Sequence, residues 1–263
     1  MTSLASSRPS VRPLVVGHQG AAGLAAANTL PSIAAALRLG VDMVELDVRA
    51  TVDHQLVLFH DEEIRTPGGR LPLRACTAAT VRRLVPAPTL DEALAVVDRG
   101  AGLLLDVKVR GHEEALVAAL RRHRVVDTTL VCSTDWLTLA IVRCLEPRLA
   151  VSFSYPADRP SITRRRYLLP LARAALVPMR WTIPYRIASL ARQAGALATT
   201  LFYPLVTPHL VERVHRAGLQ LFAWTVDEPA HMERLASLGV DGIITNRPDV
   251  ALAVRSSTLG AGA

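Results

Sequence analysis

Four short polar clusters stand at the ends of apolar runs: Gly17-His18-Gln19-Gly20, Glu45-Leu46-Asp47, His60-Asp61 and Asp106-Val107-Lys108. Two histidines at one site can divide the base and acid roles of an in-line displacement. Glu45 and Asp47 are two residues apart, a spacing that turns both carboxylates to the same face of a strand. Carboxylates so placed repel unless a cation lies between them, and hard ions such as Mg²⁺ and Ca²⁺ accept that oxygen set. For this pair alone, a salt bridge to Arg49 or another arginine is an equal alternative. Asp106, at the end of the next barrel strand, favours the metal. Of the 30 lysine and arginine residues, Lys108 is the only lysine. Its compact ammonium differs from the guanidinium fork and suits a point contact with a phosphate oxygen.

Other residues are open to two readings. Asp61 can orient an imidazole or cap a turn. Trp224 closes the run Leu221–Val226 and can wall a substrate pocket or pack in the core. Asn28 or Thr29 can cap the helix that follows. Asn246 ends the last strand and can hold a loop together. Neither a phosphate-cradling Gly-rich loop nor a Gly-x-Ser-x-Gly elbow is present.

The elements that must position these groups alternate along the chain. Strands are expected at 14–18, 43–48, 102–107, 129–133, 149–154, 197–202, 220–226 and 242–245. Helical patterns fill 29–39, 90–99, 112–123, 135–145, 162–194 (broken by prolines), 208–217 and 229–238. Gly40, Gly100, Gly195, Gly218 and Gly239 each stand between a helical segment and the next apolar run, as left-handed closing residues do. Eight alternations imply an α/β fold, a (β/α)8 TIM barrel. The run 56–60 follows 43–48 too closely for a parallel crossover, so it reads as a hairpin partner turning near Asp53-His54. Antiparallel pairing then returns His60 to the level of Glu45 and Asp47.

The chain of 263 residues is half hydrophobic and fits one domain of this type. The expected organisation is a flexible 1–13, a barrel domain over 14–255 and a flexible 256–263. Within the domain, 62–89 reads as a small insertion and 155–194 as a basic helical excursion. The first thirteen residues show no apolar signal core, and no run reaches a membrane span. Three cysteines without metal spacing suit a reducing compartment, so the expected location is cytoplasmic.

Between Tyr155 and Arg192 lie eight arginines against one acid, Asp158. That local excess equals the formal charge of the whole chain, +7. Localised basicity argues against a general nucleic-acid binder and for one anionic contact surface. Apolar and aromatic residues mixed with arginine suit an interfacial helix on anionic lipid at the inner face of the membrane. A solvated helix packed on the barrel is an equal reading. No partner protein is implied.

Taken together, the clusters resemble the glycerophosphodiester phosphodiesterase family, one of the phospholipase C-like phosphodiesterase barrels. The markers are Gly17–Gly20, Ala27-Asn28-Thr29-Leu30, Glu45–Val48, Phe59-His60-Asp61, Asp106-Val107-Lys108, Trp224-Thr225-Val226 and Gly242–Pro248. The resemblance implies hydrolysis of glycerophosphodiesters to glycerol 3-phosphate and an alcohol, with a divalent metal (Mg²⁺ or Ca²⁺, or Mn²⁺). Carried over, Glu45, Asp47 and Asp106 bind the metal and His18 and His60 act as acid and base. Lys108, Gln19, Trp224 and Asn28 are the expected substrate contacts. Three positions depart from the family pattern: Gln19 replaces an arginine, Ala27 a glutamate and Asp106 a glutamate. A shorter third carboxylate also resembles sphingomyelinase D-type phospholipases, so a phospholipase D-like action on lysophospholipids is the rival enzyme reading. A catalytically silent phosphodiester- or lipid-binding barrel is the rival outside enzymes.

Overall fold

The computed structural model describes residues 12–157 and 169–260. The chain opens with β1 (Leu14–Gly17), α1 (Leu30–Leu39), β2 (Met43–Ala50) and β3 (Leu56–Leu58). A hairpin of β4 (Glu63–Thr66) and β5 (Gly69–Pro72) and a short α2 (Ala78–Leu84) lead to α3 (Leu90–Val97). Then follow β6 (Gly102–Val107), α4 (Glu113–Arg122), β7 (Thr129–Ser133), α5 (Trp136–Leu145), β8 (Ala150–Tyr155) and α6 (Leu169–Gln193). The chain ends with β9 (Ala198–Phe202), α7 (Pro208–Arg216), β10 (Gln220–Trp224), α8 (Pro229–Ser237), β11 (Gly242–Thr245) and α9 (Pro248–Gly260).

Among the described residues, eight parallel strands (β1, β2 and β6 to β11) pair in chain order and close between β1 and β11. This is the expected TIM barrel. The period-two alternation of each strand sorts its side chains into two cores. Val15, Val44, Leu46, Leu103 and Leu105 face the helices. Val16, Met43, Leu104, Leu130, Ala150, Ala198, Phe222 and Ile244 fill the barrel interior as an apolar floor. Two residues further along each strand come His18, Glu45, Asp106, Cys132, Ser152, Thr200, Trp224 and Asn246. The polar layer therefore lies directly above the floor, at the C-terminal face where barrel active sites form. Phe222 fits only because its neighbour is Gly242, where an added Cβ would lie 2.3 Å from the ring.

The hairpin expectation holds. β3 pairs antiparallel with β2, Val48 opposite Leu58, and the Phe59 amide donates to the Asp47 carbonyl at 3.1 Å. The turn uses His54 in the left-handed region at φ 58°. The phrase Gly-Val-Asp occurs twice, at 40–42 and 239–241, and has a physical role at the other end of the barrel. Asp42 accepts from the Val15 amide at 2.7 Å and Asp241 from the Leu221 amide at 2.8 Å. Each aspartate ties its own strand start to a neighbour and meets a helix side chain, Arg255 or His215.

Three expectations are corrected. Gly100 is not the left-handed residue after α3; Asp98 (φ 31°) and Arg99 (φ 62°) make that turn. The Asp98 amide bonds back to the Leu94 carbonyl, and short Asp side chains tolerate the conformation. The prolines do not break α6, which runs through Pro178 and Pro184. Its inward residues Ile183, Ile187 and Ala191 are buried in the core, and Arg213 Nε donates to the Pro184 carbonyl at 2.8 Å. Packing offsets the lost backbone donors. The part of the expected excursion at 158–168, including Arg159 and Arg164 to Arg166, lies outside the described residues. Finally, a helix, α9, follows the last strand, where no helical segment is expected from the sequence.

Candidate active site

A cavity of about 330 Å³ opens above the apolar floor. His18, Gln19, Glu45, Asp47, His60, Asp106, Lys108 and Trp224 all line it. Of the expected site residues only Asn28 does not.

The strand register assembles the carboxylates. Asp47 on β2 pairs directly with Asp106 on β6, and Glu45 stands one inward position below Asp47. Oxygens of Glu45, Asp47 and Asp106 lie within 4.8 Å of one another. Glu45 and Asp47 are buried, at 4 % and 1 % exposure. Lys108, the next inward position after Asp106, reaches Asp47 Oδ1 at 3.0 Å and Asp106 Oδ2 at 2.6 Å.

The turn after β1 braces this cluster. Gln19 (φ 50°) and Gly20 (φ 86°) both take left-handed backbone, which folds the chain over β2. A Cβ at Gly20 would collide with Ser32, so glycine is required there. The Gln19 amide N–H donates to Glu45 Oε2 at 2.8 Å and its side chain donates to Asp47 Oδ2 at 2.6 Å. Asn28 donates to the same oxygen at 2.8 Å and accepts from the Asp47 amide at 3.1 Å. Both ends of the Asn28 side chain are thus committed to Asp47, so Asn28 supports a carboxylate and does not face the cavity. Thr29, not Asn28, caps α1.

Burial disfavours charge on Asp47, but Lys108, then His60 and His18, hold its carboxyl well below the usual range. For Glu45, burial and then the charges of Asp47 and Asp106 push the carboxyl well above it. Lys108 loses hydration, yet Asp106 and Asp47 raise its ammonium above the ordinary value. With Glu45 ionised, three carboxylates would face one ammonium, an excess of two negative charges that a divalent ion would balance. An all-oxygen carboxylate set is the donor chemistry of Mg²⁺, Ca²⁺ and Mn²⁺. The residues therefore fit such an ion.

His18 lies beside the cluster, Nε2 3.8 Å from Glu45 Oε2. Its Nδ1 is 2.7 Å from Asn246 Oδ1. The Asn246 side-chain N–H₂ donates to Asp227 Oδ2 at 2.8 Å, and its backbone N–H to Asp227 Oδ1 at 2.8 Å. A carboxylate only accepts, so the amide nitrogen of Asn246 must face Asp227 and its oxygen must face His18. His18 therefore carries its proton on Nδ1 when neutral and leaves the Nε2 lone pair for the cavity. Burial lowers the His18 pKa below 6.5, with Asp47 and Asn246 opposing. His60 shares the cavity, and its Nδ1 lies 2.7 Å from Asp61 Oδ1. Asp61 thus orients an imidazole. Arg49 Nε donates to the His60 carbonyl at 2.9 Å and fixes the backbone there.

Trp224 walls the cavity and rests on Phe202, ring centroids 5.3 Å apart. Cys132 also lines it, 3.9 Å from Asp106 Oδ1; burial, then Asp106, pushes its thiol pKa well up, so it stays a neutral thiol. The bond from Asn246 to His18 was not anticipated. Barrel closure contains the signal, because it places the end of the last strand beside the end of the first (Gly17 opposite Thr245).

The chain is similar to known proteins over most of its length. The sequence model of the Glycerophosphoryl diester phosphodiesterase family matches residues 18–250. A glycerophosphodiester phosphodiesterase of Caldanaerobacter subterraneus is 28% identical over 262 residues, covering 92% of this chain and 97% of that protein. One from Bacillus subtilis is 26% identical, covering 91% and 85%. The solved structure of an Oleispira antarctica phosphodiesterase in complex with its product sn-glycerol-3-phosphate shares the fold. Its TM-score is 0.74 at 23% identity, covering 94% of this chain and 98% of that one.

Proposed function

Because the chain belongs to the glycerophosphoryl diester phosphodiesterase family, whose members are phosphoric diester hydrolases, we propose that it hydrolyses glycerophosphodiesters to glycerol 3-phosphate and an alcohol. One observation carries this reading. Two histidines, each held at Nδ1 by an oxygen, share one cavity with a carboxylate triad of which Glu45 and Asp47 are buried.

Glu45, Asp47 and Asp106 would hold a divalent ion, Mg²⁺ or Ca²⁺ with Mn²⁺ as a further choice. Bound there, the ion supplies positive charge against the phosphoryl oxygens. Lys108 places its ammonium against a phosphate oxygen from the same rim. His18 takes the proton of the attacking water at Nε2, and Asn246 holds the imidazolium through Nδ1–H. The water oxygen bonds to phosphorus while the bond to the alcohol oxygen breaks. His60 delivers its proton to that departing oxygen, and Asp61 keeps the ring aimed. Phosphate stays on the glycerol. Trp224 forms the wall beside the glycerol. Gln19 acts on the site chiefly by anchoring Glu45 and Asp47, in place of a phosphate-binding arginine.

One barrel domain over 14–255 carries this chemistry. The reading places the protein in the cytoplasm, with peripheral contact with anionic lipid of the inner membrane face through 155–192. Among the described residues no helix is long and apolar enough to cross a membrane.

The test is turnover of glycerophosphodiesters and lysophospholipids with Mg²⁺, Mn²⁺ or Ca²⁺. Metal-dependent release of glycerol 3-phosphate from the glycerophosphodiesters is expected. Turnover of lysophospholipids alone would favour the phospholipase D-like reading, and no turnover of either class a binding barrel.

A further inference from the structure

α6 is apolar on two opposite faces. Its inward stripe, Ile183, Ile187 and Ala191, is buried against the barrel and satisfies the packing of the helix. Val177, Trp181 and Tyr185 repeat at four-residue steps on the other side. They are 57%, 76% and 64% exposed, among the most exposed large apolar side chains described. Nothing in the barrel core needs them there.

The height of this ridge is fixed by one contact. The Tyr185 ring lies 5.7 Å from that of His209, in the first turn of α7. Barrel helices begin where the preceding strand ends, so the first turn of α7 marks the catalytic rim. α6 (Leu169–Gln193) begins above that rim and runs downward past it at Tyr185. Trp181 and Val177 lie one and two turns before Tyr185, so they stand roughly 6 and 12 Å beyond the rim.

Charge accompanies the ridge. Arg180 and Arg186 are exposed on the same stretch of α6 and form no ion pair among the described residues. Arg213 lies over the Tyr185 ring, 4.6 Å from its centroid. From residue 159 to 211 the sequence has no Asp or Glu. An apolar aromatic ridge accompanied by arginines that form no ion pair among the described residues is complementary to an anionic lipid surface.

We propose that Val177, Trp181 and Tyr185 insert into the headgroup layer of an anionic phospholipid bilayer, with Arg180, Arg186 and Arg213 on its phosphates, and so turn the cavity mouth toward the membrane. This deepens the function proposed above, from which it takes the identity of the cavity. The ridge anchors the protein at the surface where hydrolysis of both acyl esters of a phospholipid releases a glycerophosphodiester.

Flotation with phosphatidylglycerol/phosphatidylcholine vesicles, and with phosphatidylcholine alone, tests it without substrate. Binding to the anionic vesicles only, weakened by salt, is expected. Trp181→Ala should lower it at least tenfold. Arg180→Gln and Arg186→Gln should each lower it about fivefold, the effect of one arginine at such a surface. Turnover of a soluble glycerophosphodiester should be unchanged in all three variants. Val177→Asp gives a second reading at the far end of the ridge should Trp181→Ala disturb the helix. Equal binding to neutral and anionic vesicles, no binding, or variants that bind like the wild type would overturn the inference. Failure of the wild type to turn over soluble substrate would overturn the hydrolysis alone.

Discussion

Asn246→Leu removes the acceptor that fixes the His18 tautomer and leaves the chemistry of the imidazole intact. The bond broken is the 2.7 Å contact between Asn246 Oδ1 and His18 Nδ1. A neutral hydrogen bond is worth about 1 kcal/mol net, and one to a charged group about 1.5–3 kcal/mol. His18 becomes charged as it takes the proton, so the loss falls on the transition state. Only the difference, about 0.5–2 kcal/mol, is lost from kcat/KM, which at 1.36 kcal/mol per factor of ten should drop roughly 2- to 30-fold. The ceiling is the loss in His18→Ala, about 10²- to 10⁴-fold for a general base. A double-mutant cycle measures the coupling. In a His18→Ala background Asn246→Leu should have little further effect, because the group it positions is gone. Asp227 also loses its partner amide, so a thermal melt of each variant separates stability from catalysis. Full additivity of the two substitutions, or wild-type kcat/KM in Asn246→Leu, would refute the assignment of Asn246 as the orienting group.

Other outcomes follow from the same geometry. Burial lowers the His18 pKa, and the base works only when unprotonated, so kcat/KM should fall with decreasing pH only below 6.5, as a pH–rate profile would show. Removal of divalent ions with a chelator should abolish turnover, and Mg²⁺, Ca²⁺ or Mn²⁺ should restore it in the wild type but not in Asp47→Asn. Lys108→Met should reduce kcat/KM about 100-fold through the lost phosphate contact, while binding of Mn²⁺ followed by calorimetry should tighten, because the competing ammonium is gone. Gly242→Ala should overpack against Phe222 by roughly 1–3 kcal/mol, lowering Tm by about 2–4 °C per kcal/mol with the active site unchanged.

Much of this arrangement was legible in the sequence because the barrel strands are written in period two. Glu45 and Asp47 had to share a face, and the short gap before residue 56 had to be a hairpin. Those two constraints alone bring His60 level with the carboxylates. The roles of Asn28, Gln19 and Asn246 were not legible in the same way. Each depends on a long-range hydrogen bond, with partners 19, 28 and 228 residues apart, and no local pattern encodes the direction of an amide. The prolines of α6 misled for a related reason. Local propensity argues for a break, whereas burial of Ile183, Ile187 and Ala191 decides for continuity. At the end of α3, glycine marked the right place, but the turn had already been made by Asp98 and Arg99.

The division of labour between the two histidines is most directly tested by the leaving group. Turnover of a glycerophosphodiester with an alkyl alcohol should be compared with that of its p-nitrophenyl analogue, whose departing phenolate needs no proton. His60→Ala should lose about 10²- to 10⁴-fold on the alkyl ester and far less on the p-nitrophenyl ester, while His18→Ala loses equally on both. Equal losses in His60→Ala on the two substrates, or the reverse pattern between the histidines, would contradict a site in which His18 is the base and His60 the acid.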